Sequence, residues 1–138
     1  MLYTDDTFYQ GNWTNDVKDG FGVERGYNYE YEGYFQNNFK HGFGCFNDWK
    51  NNKRYIGEWI RGKKNGQGKL YEKNKVFEGY WSENKKHGFG ITQSKNVIYQ
   101  GIYKNGKKHG VFTFLKFESR RIFKVKYNYK KEYQIQTH

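Results

Sequence analysis

An aromatic residue, a spacer, a glycine, a spacer and a second aromatic recur along this chain, and no other feature constrains its fold as tightly. The copies are Tyr9-Gly11-Trp13, Tyr31-Gly33-Phe35, Tyr55-Gly57-Trp59, Phe77-Gly79-Trp81 and Tyr99-Gly101-Tyr103, with a degenerate sixth, Phe123-Val125-Tyr127. They start at 9, 31, 55, 77, 99 and 123, in steps of 22, 24, 22, 22 and 24. All twelve ring positions are aromatic in a chain where rings make up 22% of residues, which excludes coincidence. Self-similarity at such a period marks a repeat architecture.

Further columns follow each start. Seven residues on stand Asp16, Asn38, Gly62, Asn84 and Gly106; nine on, Lys18, Lys40, Lys64, Lys86 and Lys108. Eleven on stand Gly20, Gly42, Gly66, Gly88 and Gly110; thirteen on, Gly22, Gly44, Gly68 and Gly90, until Phe112 breaks the column. Asp, Asn and Gly tolerate positive φ, so the seventh position is the left-handed residue of a turn. The ring-glycine-ring segment before it has the period of a strand, and the Gly-x-Gly segment after it supplies a second. Rings of the first strand then lie over glycines of the second, since glycine inside a strand marks close approach.

Each repeat is therefore a β-hairpin, joined to the next through looser turns such as 47–54 and 72–76. The fold class is all-β: an elongated single-layer antiparallel β-meander of about five hairpins plus a degenerate C-terminal capping strand. The array runs over 9–129. Residues 1–8 read as the tail of an incomplete preceding repeat or as an edge strand, and 130–138 as a C-terminal tail. An exposed edge invites pairing with another chain, so a homodimer or edge-to-edge assembly is expected.

Composition decides what such a sheet uses for a core. Leu, Ile, Val and Phe are 28 of 138 residues, there is no Ala or Pro, and 30 residues are aromatic. An aliphatic two-layer interior is therefore out of reach, whereas large rings bury about 150–250 Å² each. No window approaches a membrane-spanning length of apolar residues. The start, MLYTDDTFYQ, lacks the basic and apolar regions of a signal peptide. The lone Cys45 has no partner for a disulfide, which fits a reducing, cytoplasmic setting. A net charge of +11 favours anionic partners. Lys-, Asn- and Tyr-rich composition is also what coding bias alone would produce.

The pattern Tyr-x-Gly-x-Trp followed by Asn/Gly-x-Lys-His-Gly-x-Gly resembles the MORN repeat (membrane occupation and recognition nexus). Tyr99 through Gly110 and Trp81 through Gly90 carry it most clearly, and the resemblance covers residues 9 to about 127. It implies a twisted antiparallel meander with an aromatic-lined groove. Family members serve as cytoskeletal and ciliary scaffolds, junctional membrane proteins, and accessory segments of lipid kinases and methyltransferases, where catalysis belongs to another domain. The departures are Val17-Lys18-Asp19-Gly20 in the first repeat, Phe112 in the fifth and Val125 in the sixth, which has no second strand after it.

Two candidate surfaces follow. The first is an aromatic groove of Tyr31, Phe35, Tyr55, Trp59, Phe77, Trp81, Tyr99 and Tyr103, suited to gripping a protein partner, since Tyr and Trp favour interface hot spots. The second is a basic stripe of Lys18, Lys40, Lys64, Lys86 and Lys108 at hairpin tips, joined by Lys63, Lys85 and Lys107. That stripe would meet phosphoinositides or an anionic membrane surface; the competing reading is that tip lysines only keep a ring-rich sheet soluble. Lys116, Arg120, Arg121, Lys124, Lys126, Lys130 and Lys131 form another basic cluster. Nucleic acid ranks third, because the rings are committed to packing at a fixed repeat.

Chemistry finds no foothold, and the chain is read as non-enzymatic, with no cofactor or metal. Equivalent positions in adjacent hairpins lie two strands apart, near 9.5 Å, so His41, His87 and His109 are too far from one another for shared zinc ligation; turn-stabilising hydrogen bonds are expected of them. Cys45 stands where other repeats have Val23 and Ile91, a packing position. Glu30, Glu32, Glu58, Glu78 and Glu83 read as strand-surface charges. The expected function is a protein-binding scaffold or adaptor of a cytoskeletal or ciliary assembly, with membrane-surface binding as the alternative.

Overall fold

The structure, a computed structural model, describes residues 7–128 and the backbone of 132–136. Residues 1–6, 129–131 and 137–138 lie outside it, and with them most of the expected N-terminal tail and both Lys130 and Lys131. The strands are β1 Phe8–Thr14, β2 Val17–Arg25, β3 Tyr29–Gln36, β4 Phe39–Asp48, β5 Lys53–Ile60 and β6 Lys63–Glu72. They continue as β7 Lys75–Ser82, β8 Lys85–Ser94, β9 Val97–Lys104, β10 Lys107–Lys116, β11 Arg121–Tyr127 and β12 Glu132–Gln136. All twelve form one antiparallel sheet in sequence order. At roughly 4.8 Å per strand the ribbon is about 50 Å long.

The expected five hairpins are present, and β11 follows them as the capping strand. A second strand does come after the sixth copy: β12 pairs Tyr127↔Glu132 through Phe123↔Gln136, so part of the expected tail extends the sheet. The turns between repeats are also tighter than anticipated, with only two residues between β6 and β7.

Within each hairpin the turn has two residues, both at positive φ. Asn15 and Asp16 stand at 48° and 65°, Asn37 and Asn38 at 48° and 71°, and Glu83 and Asn84 at 51° and 70°. That is the backbone of a type I′ turn, whose twist matches the strands it joins. Immediately afterwards the second strand bulges: Gly33↔Gly44 is followed by Phe35↔Lys40, so three residues oppose one. Gly42 sits in the bulge at φ 86°. The two glycines of Gly-x-Gly thus do different work, the first bending the strand and the second lying flat beneath a ring.

The second glycines align across the sheet with the glycines that stand between the rings. Gly11, Gly22, Gly33, Gly44, Gly57, Gly68, Gly79, Gly90 and Gly101 pair in unbroken succession over nine strands. Tyr9, Tyr31, Tyr55 and Phe77 lie on this spine, and a β-carbon on Gly22, Gly44, Gly68 or Gly90 would overlap their rings. Each phenol is anchored: Tyr9 Oη donates to the Asn12 carbonyl at 2.8 Å, Tyr31 to Tyr34 at 2.8 Å and Tyr55 to Glu58 at 3.0 Å.

Over the glycines the rings form one zigzag, Trp13–Tyr9–Phe35–Tyr31–Trp59–Tyr55–Trp81–Phe77–Tyr103–Phe112–Tyr127. Every contact is edge-to-face, with centroids 4.9 to 5.6 Å apart and planes at 76° to 90°. Such pairs contribute about 0.5–1.5 kcal/mol each beyond area burial. In the second to fourth repeats the second ring leans on the first ring of its own repeat and of the one before, which is how a one-layer sheet acquires a continuous core. Trp59 and Trp81 also donate Nε1–H to the carbonyls of Gly44 and Gly68, at 3.3 and 3.2 Å.

Candidate functional site

Seven of the eight rings expected to line a groove are interior. Tyr31, Phe35, Tyr55, Trp59, Phe77, Trp81 and Tyr103 are between 0% and 6% exposed, leaving a partner almost no ring surface to grip. Tyr99 is off the zigzag altogether. Phe112, the residue that breaks the glycine column, lies over Gly101 and occupies the slot that a first ring fills elsewhere. Displaced, Tyr99 stacks on Phe114 at 5.1 Å, which stacks on Phe123 at 5.0 Å.

The lysine column corrects the expected single stripe. Lys64 pairs with Trp59 and Lys63 with Ile60, so successive lysines point to opposite faces. Lys63, Lys85 and Lys107 are exposed at the tips, and Lys63 forms an ion pair of 2.8 Å with Glu83 of the next tip. Lys18, Lys40, Lys64, Lys86 and Lys108 instead fold back over the rings. Lys64 Nζ is 5.4 Å from the Tyr55 centroid and 5.0 Å from that of Trp81. Lys86 Nζ is 4.3 Å from Phe77 and 5.4 Å from Tyr103. Lys40 Nζ reaches Phe46 at 5.0, Trp59 at 5.3 and Tyr31 at 5.7 Å. Each ammonium thus bridges the first ring of its own repeat and the second ring of the next. The two candidate surfaces are one surface.

Burial pushes the ammonium groups of Lys40, Lys64 and Lys86 below the ordinary lysine range; neighbouring lysines add to this, while Glu24, Asp48 and Glu72 act from farther off in the opposite sense. The negative ring faces beneath them act in the opposite sense, favouring the charged form. At the N-terminal end the charge is met: Lys18 pairs with Glu24, which also accepts from the Tyr29 hydroxyl at 2.9 Å. Lys40, Lys64 and Lys86 have no carboxylate within ion-pairing distance among the described residues. Between the second and fourth repeats this face hollows into a trough of about 350 Å³. Its apolar lining is Phe46, Tyr55, Leu70 and Trp81, and its polar lining includes Asp48, Lys53, Lys64, Glu72, Lys85 and Lys86.

The histidines do form hydrogen bonds, but across repeats. Asn105 N–H donates to His87 Nδ1 at 3.2 Å, and Arg61 N–H to His41 Nδ1 at a longer 3.5 Å. At the other two junctions the turn asparagine takes over: Lys18 N–H donates to Asn38 Oδ1 and Lys64 N–H to Asn84 Oδ1, both at 2.9 Å. At all four junctions the carbonyl of the column lysine accepts from the next turn's backbone N–H at 2.8 to 3.0 Å. No three His, Cys, Asp or Glu side chains gather to hold a metal among the described residues. Cys45 is half-buried, its sulfur 3.2 Å from Arg54 Nε–H.

One surface escaped sequence reasoning. Phe21, Tyr34, Phe43, Tyr80, Phe89, Ile102 and Val111 are all exposed, from 41% to 57%, on the face opposite the rings. They are the spacers inside Gly-x-Gly and Gly-x-ring, and strand alternation placed them there all along.

The MORN repeat family model matches five consecutive segments of the chain, residues 9–30, 31–47, 55–73, 77–96 and 99–111. A search of the curated proteins finds no match.

Proposed function

The chain belongs to the MORN-repeat family, and we propose that it is a non-enzymatic scaffold or adaptor that binds a protein partner along its ring-and-lysine face. One observation carries this reading: the ring zigzag seals itself, yet its outer surface presents Lys40, Lys64 and Lys86, half-buried cations with no carboxylate within ion-pairing distance among the described residues. The cytoplasm, at a cytoskeletal or ciliary structure, is the setting that the family resemblance favours.

The test is capture from native cell extract, with wild type beside a variant carrying Lys40→Met, Lys64→Met and Lys86→Met. Defined proteins retained by wild type and lost by the folded variant support the reading. Retention of the same proteins by both overturns the assignment to this face. A second reading rests on Lys63, Lys85 and Lys107, whose exposed tips could meet phosphoinositides or another anionic membrane surface. It requires vesicle binding that falls steeply with salt and with charge reversal of those three tips.

A further inference from the structure

We propose that the segment this face receives is acidic, with carboxylates that cap the ammonium groups of Lys40, Lys64 and Lys86 in turn. This inference rests on the binding role proposed above and names its partner's chemistry. Three observations converge on it.

The first is unmet charge. A cation removed from water is costly unless paired, and ring faces return only part of that cost. Lys18 shows the compensated arrangement, with Glu24 beside it. Asp48 and Glu72 stand in the trough wall, but neither reaches ion-pairing distance of Lys64 or Lys86.

The second is repulsion along the row. Beyond burial itself, Lys18 lowers the proton affinity of Lys40, Lys53 and Lys40 that of Lys64, and Lys75, Lys108 and Lys53 that of Lys86, against an opposing pull from Glu24, Asp48 and Glu72. A ligand with alternating or spaced negative charge relieves every one of these contacts together.

The third is shape. The ammonium groups lie recessed over the rings while Lys63 and Lys107 project at the tips. A flat bilayer meets the projecting set first; a slender chain laid along the ring face reaches Lys64 and Lys86 in the trough and Lys40 over its Phe46 wall. Equivalent lysines recur every two strands, about 9.6 Å. Carboxylates match that pitch on one side at every third residue of a segment extended as a polyproline II helix, about 9.3 Å, or every seventh residue of an α-helix, about 10.5 Å.

The experiment uses the full chain and two synthetic peptides, one extended with glutamate at every third position and one helical with glutamate at every seventh. Glutamine versions of both serve as controls. Titration calorimetry should find binding of at least one glutamate peptide, weakened about tenfold or more in its glutamine version. The Lys40→Met, Lys64→Met, Lys86→Met variant should bind the glutamate peptide correspondingly more weakly, while methionine stems keep the rings covered. Because the glutamine peptides test the charge on the wild-type protein, a variant that failed to fold would leave the result intact. Equal binding of glutamate and glutamine peptides overturns the proposal, as does equal binding by the folded variant. So does binding of phosphatidylserine vesicles through these lysines with no peptide bound. If protein partners are captured through this face while no acidic peptide binds, the acidic chemistry falls and the scaffold role stands; if nothing is captured, both fall.

Discussion

The Tyr31 ring lies flat on Gly44, its phenol filling the space that a β-carbon on Gly44 would take. The two residues sit on neighbouring strands of one hairpin, and Tyr31 Oη goes on to donate to the Tyr34 carbonyl at 2.8 Å. Ring, glycine and hydrogen bond lock one another, and the same unit recurs with Tyr9 on Gly22 and Tyr55 on Gly68.

Gly44→Ala should therefore lower stability by about 3 kcal/mol, since the ring is fixed and must leave its rotamer. Gly110→Ala meets nothing within 4 Å but sits at φ 73°, so it should cost only about 1 kcal/mol, from left-handed strain. Urea unfolding of the two variants checks the order; equal losses would contradict it.

Phe112 has inherited the work of Tyr99, and truncation should show it. Phe112→Ala should cost about 4 kcal/mol, because Phe112 is wholly buried between Tyr103 and Tyr127. Tyr99→Ala should cost roughly half as much, its ring being half-buried and outside the zigzag. In thermal melts the Phe112 variant should unfold first; the reverse order would refute the exchange of roles.

At the fourth junction His87→Asn should cost about 1 kcal/mol by removing the acceptor for Asn105 N–H. Adding Gly106→Asn should recover part of that loss, because it recreates the junction in which Lys64 N–H meets Asn84 Oδ1. A double-mutant cycle should give a favourable coupling of about 0.5 kcal/mol; strict additivity would break the proposed equivalence.

Alkaline pH should act on the two halves of the ring-and-lysine face in opposite directions. Burial holds Lys40, Lys64 and Lys86 below the ordinary 10.5, so the native state releases their protons before the unfolded state does. There the unfolded chain binds more protons, and stability rises with pH. Burial raises Tyr103 from 10.0 to about 12 and drives Tyr31 and Tyr55 upward as well. Their contribution is complete below 10 and is lost as pH climbs through the raised values. Urea midpoints should therefore rise toward about pH 10 and fall beyond it, with ultraviolet absorbance reporting phenol ionisation delayed into the falling limb.

Much of this was legible beforehand. The repeat period dictated hairpins, and Asp, Asn or Gly at the seventh position marked turns that proved to be type I′. Two things were hidden. The face of each lysine depends on register at the turn: Lys64 stands opposite Trp59, and Lys63 opposite Ile60, because the turn spends two residues, Arg61 and Gly62, both at positive φ, where the repeat columns marked only one. The fate of Tyr99 depends on a side chain thirteen residues away on another strand, since Phe112 reaches Gly101 first. The exposed spacers such as Phe43 carry no columnar signal, because their residue type varies from copy to copy.

The junction chemistry has a consequence for how such an array gains or loses length. Asp19 is followed by Asn38, His41 by Gly62, Asn65 by Asn84 and His87 by Gly106, so two kinds of interface alternate. Excising one internal repeat sets a histidine before an asparagine turn, or an acidic or amide residue before a glycine turn, and the seam is mismatched. Excising two in succession restores a seam the chain already uses. Duplication and deletion should therefore be tolerated in pairs, making the heritable unit two hairpins rather than one.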